Sequence, residues 1–405
     1  MMSGKLIVTK MDDNIVTALY EGNQMIQVNV DREEEVSSLG NIYVGKVKNI
    51  VKNINAAFVE IAEKKMCYLP LADVSNPIFT QGKSGNKVNI GDELVVQVIK
   101  EDIKTKAPVV TTSISFTGKY IVLMHGTKTI GISAKIGSEQ KRKRLRSLVS
   151  PFLGDQYGFV LRTNAVEAED GLIVEEIEQL KKQYDRILTY GVYRNRFSLL
   201  YKTLQPFLCA IRDGFAKDLE AIITDDFSLY EEIKEYLKEH QREDLEKLSF
   251  YEDKLLALSK LYSIETKLSR ALREKVWLPC GGSLVIQPTE ALTVIDVNTG
   301  KAVSKKKDVQ ETFLKVNLEA AQEIAAQIRL RNLSGIIIVD FIDMISEAAK
   351  QQLLRVFDEY LRKDPIKTTL VDMTALNLVE ITRKKVRKPL HEQMKHTDVG
   401  SLKEE

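Results

Sequence analysis

The last third of this sequence alternates between short apolar runs and longer amphipathic segments, and this alternation constrains the fold more than any other feature. Residues 283–297 predict two strands joined at "QPTE". Residues 309–332 predict a helix, because apolar residues recur there at spacings of three or four. A strand over 335–342, a helix near 346–362 and the strand "KTTLVDM" follow. This strand–helix–strand order predicts an α/β layer.

Two of these predicted strands end in carboxylates. Asp296, followed by Asn298, closes "LTVIDVN", and Asp340 closes "GIIIVD". In an α/β sheet, ligands bind beyond the carboxyl ends of parallel strands, and a set of oxygen ligands suits Mg²⁺. An aspartate after a buried strand is also commonly a loop cap, and Asp343 is open to the same two interpretations. The residues alone leave both alternatives open.

The first half of the chain is rich in short β-prone runs. Residues 5–30 predict three antiparallel strands with turns at "MDDN" and "EGNQ". Residues 38–118 contain five short runs, the last of them "PVVTTSIS", with Gly, Pro and Asn between them, a pattern typical of an OB-type barrel. Residues 120–215 mix strands with helical stretches, and 216–275 predict a strand followed by helical runs. A chain of 405 residues is therefore expected to form several domains.

Charge in this chain is segregated rather than abundant. The formal net charge is only +2, which excludes a polybasic protein. Basic clusters nevertheless occur as "KRKRLR" (141–146), "GKAVSKKK" (300–307) and "TRKKVRK" (382–388). Such local patches can bind a polyanion along a track. We also expect a cytoplasmic protein with no membrane partner, because the sequence has neither a signal peptide nor an apolar run of membrane-spanning length.

Longer motifs make a family resemblance visible. "TEALTVIDVNTGKA" and "NLEAAQEIAAQIRLRNLSGIIIVDFIDM" strongly resemble the core of the ribonuclease E/G family of bacterial endoribonucleases. "GNIYVGKVKNIVKNINAAFVEIAEKKMCYLPL" is similar to the S1-type RNA-binding module of that family, and "GFVLRTNA" to its 5′-end sensor. "LVEITRKKVRKPL" resembles the close of its catalytic subdomain. The similarity runs in order from residue 5 to about 390.

The resemblance implies an α/β and β multidomain architecture. Residues 1–36 and 216–275 would form a ribonuclease-H-like subdomain. An S1-type OB-fold (37–119) and a 5′-sensor (120–215) would be inserted within it. Two further segments would follow: a deoxyribonuclease-I-like α/β catalytic subdomain (276–390) and a polar tail (391–405).

The resemblance also implies an active site. Asp296 and Asp340 would coordinate Mg²⁺, and Asn298 would hold Asp296 in place. Water activated by the ion would then cleave a phosphodiester of single-stranded RNA. For these three residues the resemblance favours the metal site over the loop cap.

Binding residues follow from the same resemblance. Arg162 and Thr163 match the pair that binds a 5′-monophosphate, a role for which a guanidinium fork and a hydroxyl are suited. RNA contacts are implied at Phe58, Tyr68, Lys106 and Arg383. From the residues alone, Phe58 could equally point into the barrel, Arg162 could end a surface strand, and Arg383 could belong to a solvated patch.

The sequence departs from the family pattern near its end. The family carries a cysteine pair through which two chains share one zinc ion, but no cysteine follows Cys280 in this sequence. We likewise expect the small C-terminal domain of the family to be missing. We therefore expect no zinc, while a homodimer through the catalytic subdomain remains possible. Asn377 stands where glycine is expected in a turn, and asparagine tolerates the positive φ that such a turn requires.

Three functions compete at this level. The first is a Mg²⁺-dependent endoribonuclease for single-stranded, 5′-monophosphorylated RNA, acting in rRNA or mRNA processing or decay. The second is a catalytically weak, RNA-binding paralogue. The third, a hydrolase of small phosphates, is disfavoured because it would have no use for an OB-fold and basic patches.

Overall fold

The computed structural model describes residues 4–33, 37–80, 82–83, 85–101, 107–213, 219–300 and 309–396. The chain forms two compact units. The first comprises residues 1–34, 218–235 and 243–405, and the second comprises residues 35–217 and 236–242. Among the described residues, none of the helices has the length and apolar character needed to cross a membrane.

The N-terminal segment forms the predicted antiparallel meander. Its strands are β1 (Gly4–Met11), β2 (Asn14–Glu21) and β3 (Gln24–Arg32). The two tight turns fall at "MDDN" and "EGNQ", where Asp12 and Gly22 have φ angles of 52° and 57°. Aspartate and glycine tolerate this left-handed conformation, so the turn residues fix the register of the three strands.

A closed barrel follows, as the five short runs predict. Its strands are β4 (Ile42–Val51), β5 (Ala56–Ala62), β6 (Lys65–Pro70), β7 (Glu93–Lys100) and β8 (Val109–Thr111). The sheet runs in the order β4-β5-β6-β8-β7, and β4 also pairs with β7, which closes the barrel. Alternate residues fill the interior, among them Val59, Cys67, Leu69, Leu94 and Val96.

The barrel ends earlier than the sequence predicts. "PVVTTSIS" is not one strand: after β8 the chain turns, and β9 (Ser115–Thr117) pairs instead with β10 (Ile121–His125) in a separate sheet. The chain continues with β11 (Ile130–Ile132), the helix α1 (Glu139–Val149), β12 (Tyr157–Leu161) and the helix α2 (Asp170–Tyr190). Of these, β11 and β12 belong to the same sheet as β9 and β10. The expected boundary at residue 119 is therefore wrong by several residues, since β9 already belongs to the second sheet.

Two short elements close this unit. β13 (Leu199–Tyr201) returns to the barrel and pairs with β4, a long-range pairing that no local pattern indicates. The helix α3 (Pro206–Asp213) follows, with Phe207, Leu208 and Ile211 buried.

The chain then returns to the first sheet. β14 (Leu219–Thr224) pairs in parallel with β1, and β15 (Leu248–Phe250) pairs in parallel with β14, with the helix α4 (Phe227–His240) between them. Two short helices follow, α5 (Leu258–Leu261) and α6 (Ile264–Leu272). One five-stranded sheet thus unites the two segments that the resemblance assigns to a single subdomain.

The remaining strands build the predicted α/β layer. They are β16 (Lys275–Trp277), β17 (Ser283–Pro288), β18 (Leu292–Asn298), β19 (Gly335–Asp340), β20 (Thr368–Met373) and β21 (Leu378–Arg383), in the order β16-β17-β18-β19-β21-β20. The helix α7 (Val309–Leu330) lies between β18 and β19 in the chain, and these two strands pair in parallel. The helix α8 (Glu347–Leu361) follows β19. Apolar residues of both helices share one core with the buried residues of the sheet.

The end of the described chain corrects one expectation. A last short helix, α9 (Leu390–Gln393), packs Leu390 and the following Met394 into the core of the first sheet, where both are almost completely buried. The Gln393 side-chain carbonyl accepts a hydrogen bond from the Val30 backbone N–H at 2.8 Å. The prediction of a polar tail from residue 391 is therefore wrong up to Met394, and residues 397–405 lie outside the described part.

Candidate active site and RNA interface

Asp296 and Asp340 lie directly opposite each other in the parallel pair β18–β19. Ile295, Val297 and Val339, the neighbours of these aspartates along the strands, are buried in the core shared with the helices. Since side chains alternate along a strand, both carboxylates project from the other face of the sheet. The prediction that two strands bring carboxylates together at one edge is confirmed by this register.

Asn298 lies on the same face, two residues beyond Asp296. Its side-chain N–H donates to Asp296 Oδ2 at 2.6 Å, which fixes the orientation of that carboxylate. Burial, and then the negative charges of Asp296 and Asp343, raise the pKa of the Asp340 carboxyl. The edge therefore concentrates negative charge and oxygen donors, which is the environment that a hard divalent cation neutralises.

Asp343 is turned toward a neighbouring loop. Its Oδ1 accepts from the Asn377 side-chain N–H at 3.1 Å, and Asn377 Oδ1 accepts from Lys350 Nζ at 3.0 Å. Asn377 has a φ of 61°, which confirms that it occupies a turn position of the kind that favours glycine. In the described ranges, no group of three or more His, Cys, Asp or Glu side chains is arranged to hold a metal ion.

Asn317, on α7, is a residue of this site that sequence reasoning missed. It is fully buried, and its side chain makes two hydrogen bonds to Ile342: Nδ2 donates to the carbonyl at 2.8 Å, and Oδ1 accepts from the backbone N–H at 3.0 Å. These bonds fix the chain two residues after Asp340. The signal in the sequence was a polar residue on the apolar face of the helix, three residues after Leu314 and four before Ala321.

Phe58 and Tyr68 form an aromatic pair on the outside of the barrel. They are cross-strand neighbours on β5 and β6, their ring centroids are 6.1 Å apart, and both side chains are half-buried. Their chain neighbours Ala57, Val59 and Cys67 are buried. The structure thus resolves the alternative that the sequence left open, since Phe58 lies on the outer face. Lys106, the basic contact expected here, lies outside the described residues.

Arg162 and Thr163 follow β12 directly. Arg162 is one-quarter exposed and forms an ion pair with Asp213, with Nη1 and Oδ1 2.8 Å apart. Thr163 is exposed, and its hydroxyl is 3.2 Å from the hydroxyl of Ser133. The two residues predicted to bind a 5′-phosphate are therefore adjacent, and neither is enclosed in the core.

Arg383 does not lie at the surface, which corrects the expectation that it contacts RNA. Its side chain is 4% exposed, and its Nε donates to Asp364 Oδ2 at 2.7 Å. Its Nη1 donates to Asn332 Oδ1 at 2.7 Å and to the Leu333 carbonyl at 2.9 Å. Because the guanidinium is enclosed and occupied, Arg383 stabilises the sheet rather than presenting a charge to a ligand.

Two protein-family models match most of this chain. The model of the ribonuclease E/G family matches residues 115–386, and that of the S1 RNA binding domain matches residues 38–113. Ribonuclease G of Escherichia coli (strain K12) is 33% identical over 399 residues, which is 96% of this chain and 81% of that protein. The chain belongs to the ribonuclease E/G family. Ribonuclease E of a Synechocystis species is 33% identical over 93% of this chain and 56% of its own length.

Family membership confirms the resemblance drawn from the motifs and supports an endoribonuclease role with RNA as the substrate. The two family models meet between residues 113 and 115, where the chain leaves the barrel and enters β9 of the second sheet. The match to the ribonuclease E/G family includes β18, β19 and the residues of the carboxylate edge. The match to the S1 domain includes the aromatic pair of Phe58 and Tyr68.

Proposed function

We propose that this chain is a Mg²⁺-dependent endoribonuclease that cleaves single-stranded RNA and prefers substrates with a 5′-monophosphate, in the processing or decay of rRNA or mRNA. The observation that carries the proposal is the direct pairing of Asp296 with Asp340 at the ends of two parallel strands, with Asn298 bonded to Asp296. A position of this kind in an α/β sheet is where ligands bind.

The donor set fits Mg²⁺. Two carboxylates face the same side, and the Asn298 N–H bond to Asp296 leaves the amide oxygen of Asn298 without a partner among the described residues. Mg²⁺ is bound through one or two carboxylates and keeps several waters, so a partial protein set suits it. When bound, the ion supplies polarisation of a phosphoryl oxygen and lowers the pKa of water.

The protein residues orient this chemistry. Asp296 and Asp340 would hold the cation, Asn298 keeps Asp296 in one orientation, and the Asn317 bonds to Ile342 fix the chain that follows Asp340. Because hydrogen bonds already fix these residues, they do not have to reorganise during the reaction.

The barrel supplies sequence-tolerant binding. Unpaired bases stack on the exposed faces of aromatic side chains, and each such contact contributes about 1–3 kcal/mol. Phe58 and Tyr68 present two neighbouring rings in an edge-to-face arrangement on the outer surface, where unpaired bases of flexible single-stranded RNA can reach them.

The test is cleavage of a short, AU-rich, single-stranded RNA with a 5′-monophosphate in the presence of Mg²⁺. We expect Asp296→Asn and Asp340→Asn each to lose about 100-fold or more in rate, and Asn298→Ala to lose about 10- to 100-fold. The matched control is Asp358→Asn, because Asp358 lies on α8 in an exposed ion pair with Arg362 and should leave the rate unchanged.

Three outcomes separate the alternatives. Loss of cleavage in the two aspartate variants, with RNA binding retained, supports the proposed centre. Cleavage by these variants at the wild-type rate would place the reaction elsewhere. If the wild type binds the RNA and does not cut it, the chain is the catalytically weak, RNA-binding paralogue.

A further inference from the structure

Among the described residues, the Arg162 guanidinium contacts its partners through one nitrogen, Nη1. Nη1 donates to the Gly118 carbonyl at 2.5 Å and pairs with Asp213 Oδ1 at 2.8 Å. Within the part of the chain that the structure describes, Nε and Nη2 have no hydrogen-bond partner. An arginine that binds a phosphate through two parallel N–H bonds needs two adjacent nitrogens, and these two are available.

Asp213 is itself held in a fixed position. The neighbouring Arg212 donates to both of its oxygens, from Nε at 2.8 Å and from Nη2 at 3.0 Å. Arg212 is only 12% exposed, and its Nη1 also donates to the Thr117 carbonyl at 3.2 Å. Although burial opposes it, the pairing with Arg212 and Arg162 lowers the pKa of the Asp213 carboxyl. Asp213 therefore presents a fixed carboxylate to Arg162.

The Gly118 carbonyl, the second partner of Arg162, is also held in place. Glu176, on α2, accepts hydrogen bonds from the backbone N–H groups of Lys119, Tyr120 and Ile121, at 2.9 Å for Tyr120 and 2.8 Å for Ile121. These residues follow Gly118 in the turn between β9 and β10. The carbonyl that receives Arg162 Nη1 is thus part of a turn that a half-buried carboxylate holds.

We propose that Asp213 is a positioning residue for the recognition of the 5′-end. By holding Nη1 against Gly118, Asp213 leaves the Nε–Nη2 edge of Arg162 free for a terminal phosphate. This role rests on the proposed preference for 5′-monophosphorylated RNA. The bond survives phosphate binding because Asp213 and the phosphate use different nitrogens of the guanidinium.

The charges of Arg162, Arg212 and Asp213 are compatible with the binding of a phosphate at Arg162. Arg162 and Arg212 each carry one positive charge and Asp213 one negative charge, so Asp213 does not neutralise both guanidinium groups. Since Arg212 balances Asp213, the carboxylate orients Arg162 without cancelling its attraction for a phosphate.

The test measures kcat/KM for one RNA sequence with either a 5′-monophosphate or a 5′-hydroxyl. The ratio of the two values is independent of the fraction of folded enzyme, because both substrates use the same active centre. We expect Asp213→Ala to lower this ratio about tenfold. Asp213→Asn keeps an acceptor oxygen and should have an intermediate ratio.

Two further variants complete the design. Asp155→Ala is the matched control, because Asp155 is fully exposed in the same unit and pairs only loosely with Lys128 at 3.8 Å, and its ratio should equal that of the wild type. Arg162→Ala reports the preference itself and should bring the ratio close to one.

The outcomes are distinguishable. An unchanged ratio in Asp213→Ala overturns the positioning role, and a raised ratio shows instead that Asp213 competes with the phosphate for Arg162. If Arg162→Ala keeps the wild-type ratio, or the wild type shows no preference, the proposed 5′-end recognition by Arg162 is wrong and the role of Asp213 falls with it. The proposed cleavage chemistry is unaffected in that case.

Discussion

Replacing Asp364 by alanine tests whether Arg383 is a structural residue. Arg383 and Asp364 are 4% and 5% exposed, and their side chains are joined by bonds of 2.7 and 3.4 Å. The substitution leaves the guanidinium with Asn332 and Leu333 as partners and with no counter-ion. It also removes one of the two acceptors of Thr368 Oγ1, which donates to Asp364 Oδ2 at 3.1 Å and to the Ile366 carbonyl at 3.2 Å.

The expected cost is large. Removing one member of a buried ion pair costs about 3–5 kcal/mol, because the remaining charge stays buried without compensation. In a unit of roughly 200 residues, each kcal/mol lowers Tm by about 2–4 °C, so Asp364→Ala should lower Tm by about 6–20 °C. A double variant, Arg383→Met with Asp364→Leu, should recover most of this loss, since neither charge remains buried.

Thermal and urea unfolding followed by circular dichroism measure these changes. The control is Asp358→Ala, which breaks the exposed pair with Arg362 and should cost about 0.5 kcal/mol or less. A loss below about 1 kcal/mol in Asp364→Ala would refute the structural role. So would an Arg383→Ala protein that folds with wild-type stability and binds RNA more weakly, because this result would return Arg383 to the RNA interface.

Asn317→Ala removes both bonds to Ile342, and we expect cleavage to fall about 10- to 100-fold at unchanged RNA affinity; an unchanged rate would contradict this. Burial lowers the pKa of His125, so below about pH 6.5 the unfolded chain binds a proton that the folded chain lacks. Stability in urea should therefore fall on acidification by at most about 1.4 kcal/mol per pH unit, and less in His125→Gln; equal slopes would exclude His125. Phe58→Ala should weaken RNA binding by about 1–3 kcal/mol in titrations, whereas full affinity would remove it from the interface. Mg²⁺ should raise Tm of the wild type and not of Asp340→Asn; equal shifts would place the ion elsewhere.

The carboxylate edge was predictable because local patterns determine it. A β-branched run marks a strand, and the helical period over α7 marks the connection that makes β18 and β19 parallel. Parallel neighbours place their carboxyl ends at one edge, so Asp296 and Asp340 had to be close once both strands belonged to one sheet. The direct register of the two aspartates, by contrast, depends on how the strands pair and was visible only in the structure.

Arg383 was misjudged because the family resemblance and the basic composition of its neighbours were given more importance than the two-residue period of the strand. The run "TRKKVRK" has the composition of a solvated patch, yet Val379, Ile381 and Arg383 alternate along β21, and all three are buried. The two-residue period therefore indicated an inward position. Asp364, the carboxylate that makes this burial possible, lies in the segment between α8 and β20, and no local pattern links it to β21.

Asn317 and Glu176 show a signal that composition does not contain. Each is a polar residue at a helix position that the helical period assigns to the apolar face: Asn317 between Leu314 and Ala321, and Glu176 between Ile173 and Leu180. A buried polar side chain without a partner costs about 1–3 kcal/mol, so such a residue must find hydrogen bonds within the fold. Both bond to backbone next to a proposed functional residue, near Asp340 in one unit and beside Gly118 in the other. In these two cases, a polar residue on an apolar helix face therefore marks a backbone segment that its side chain holds in one conformation.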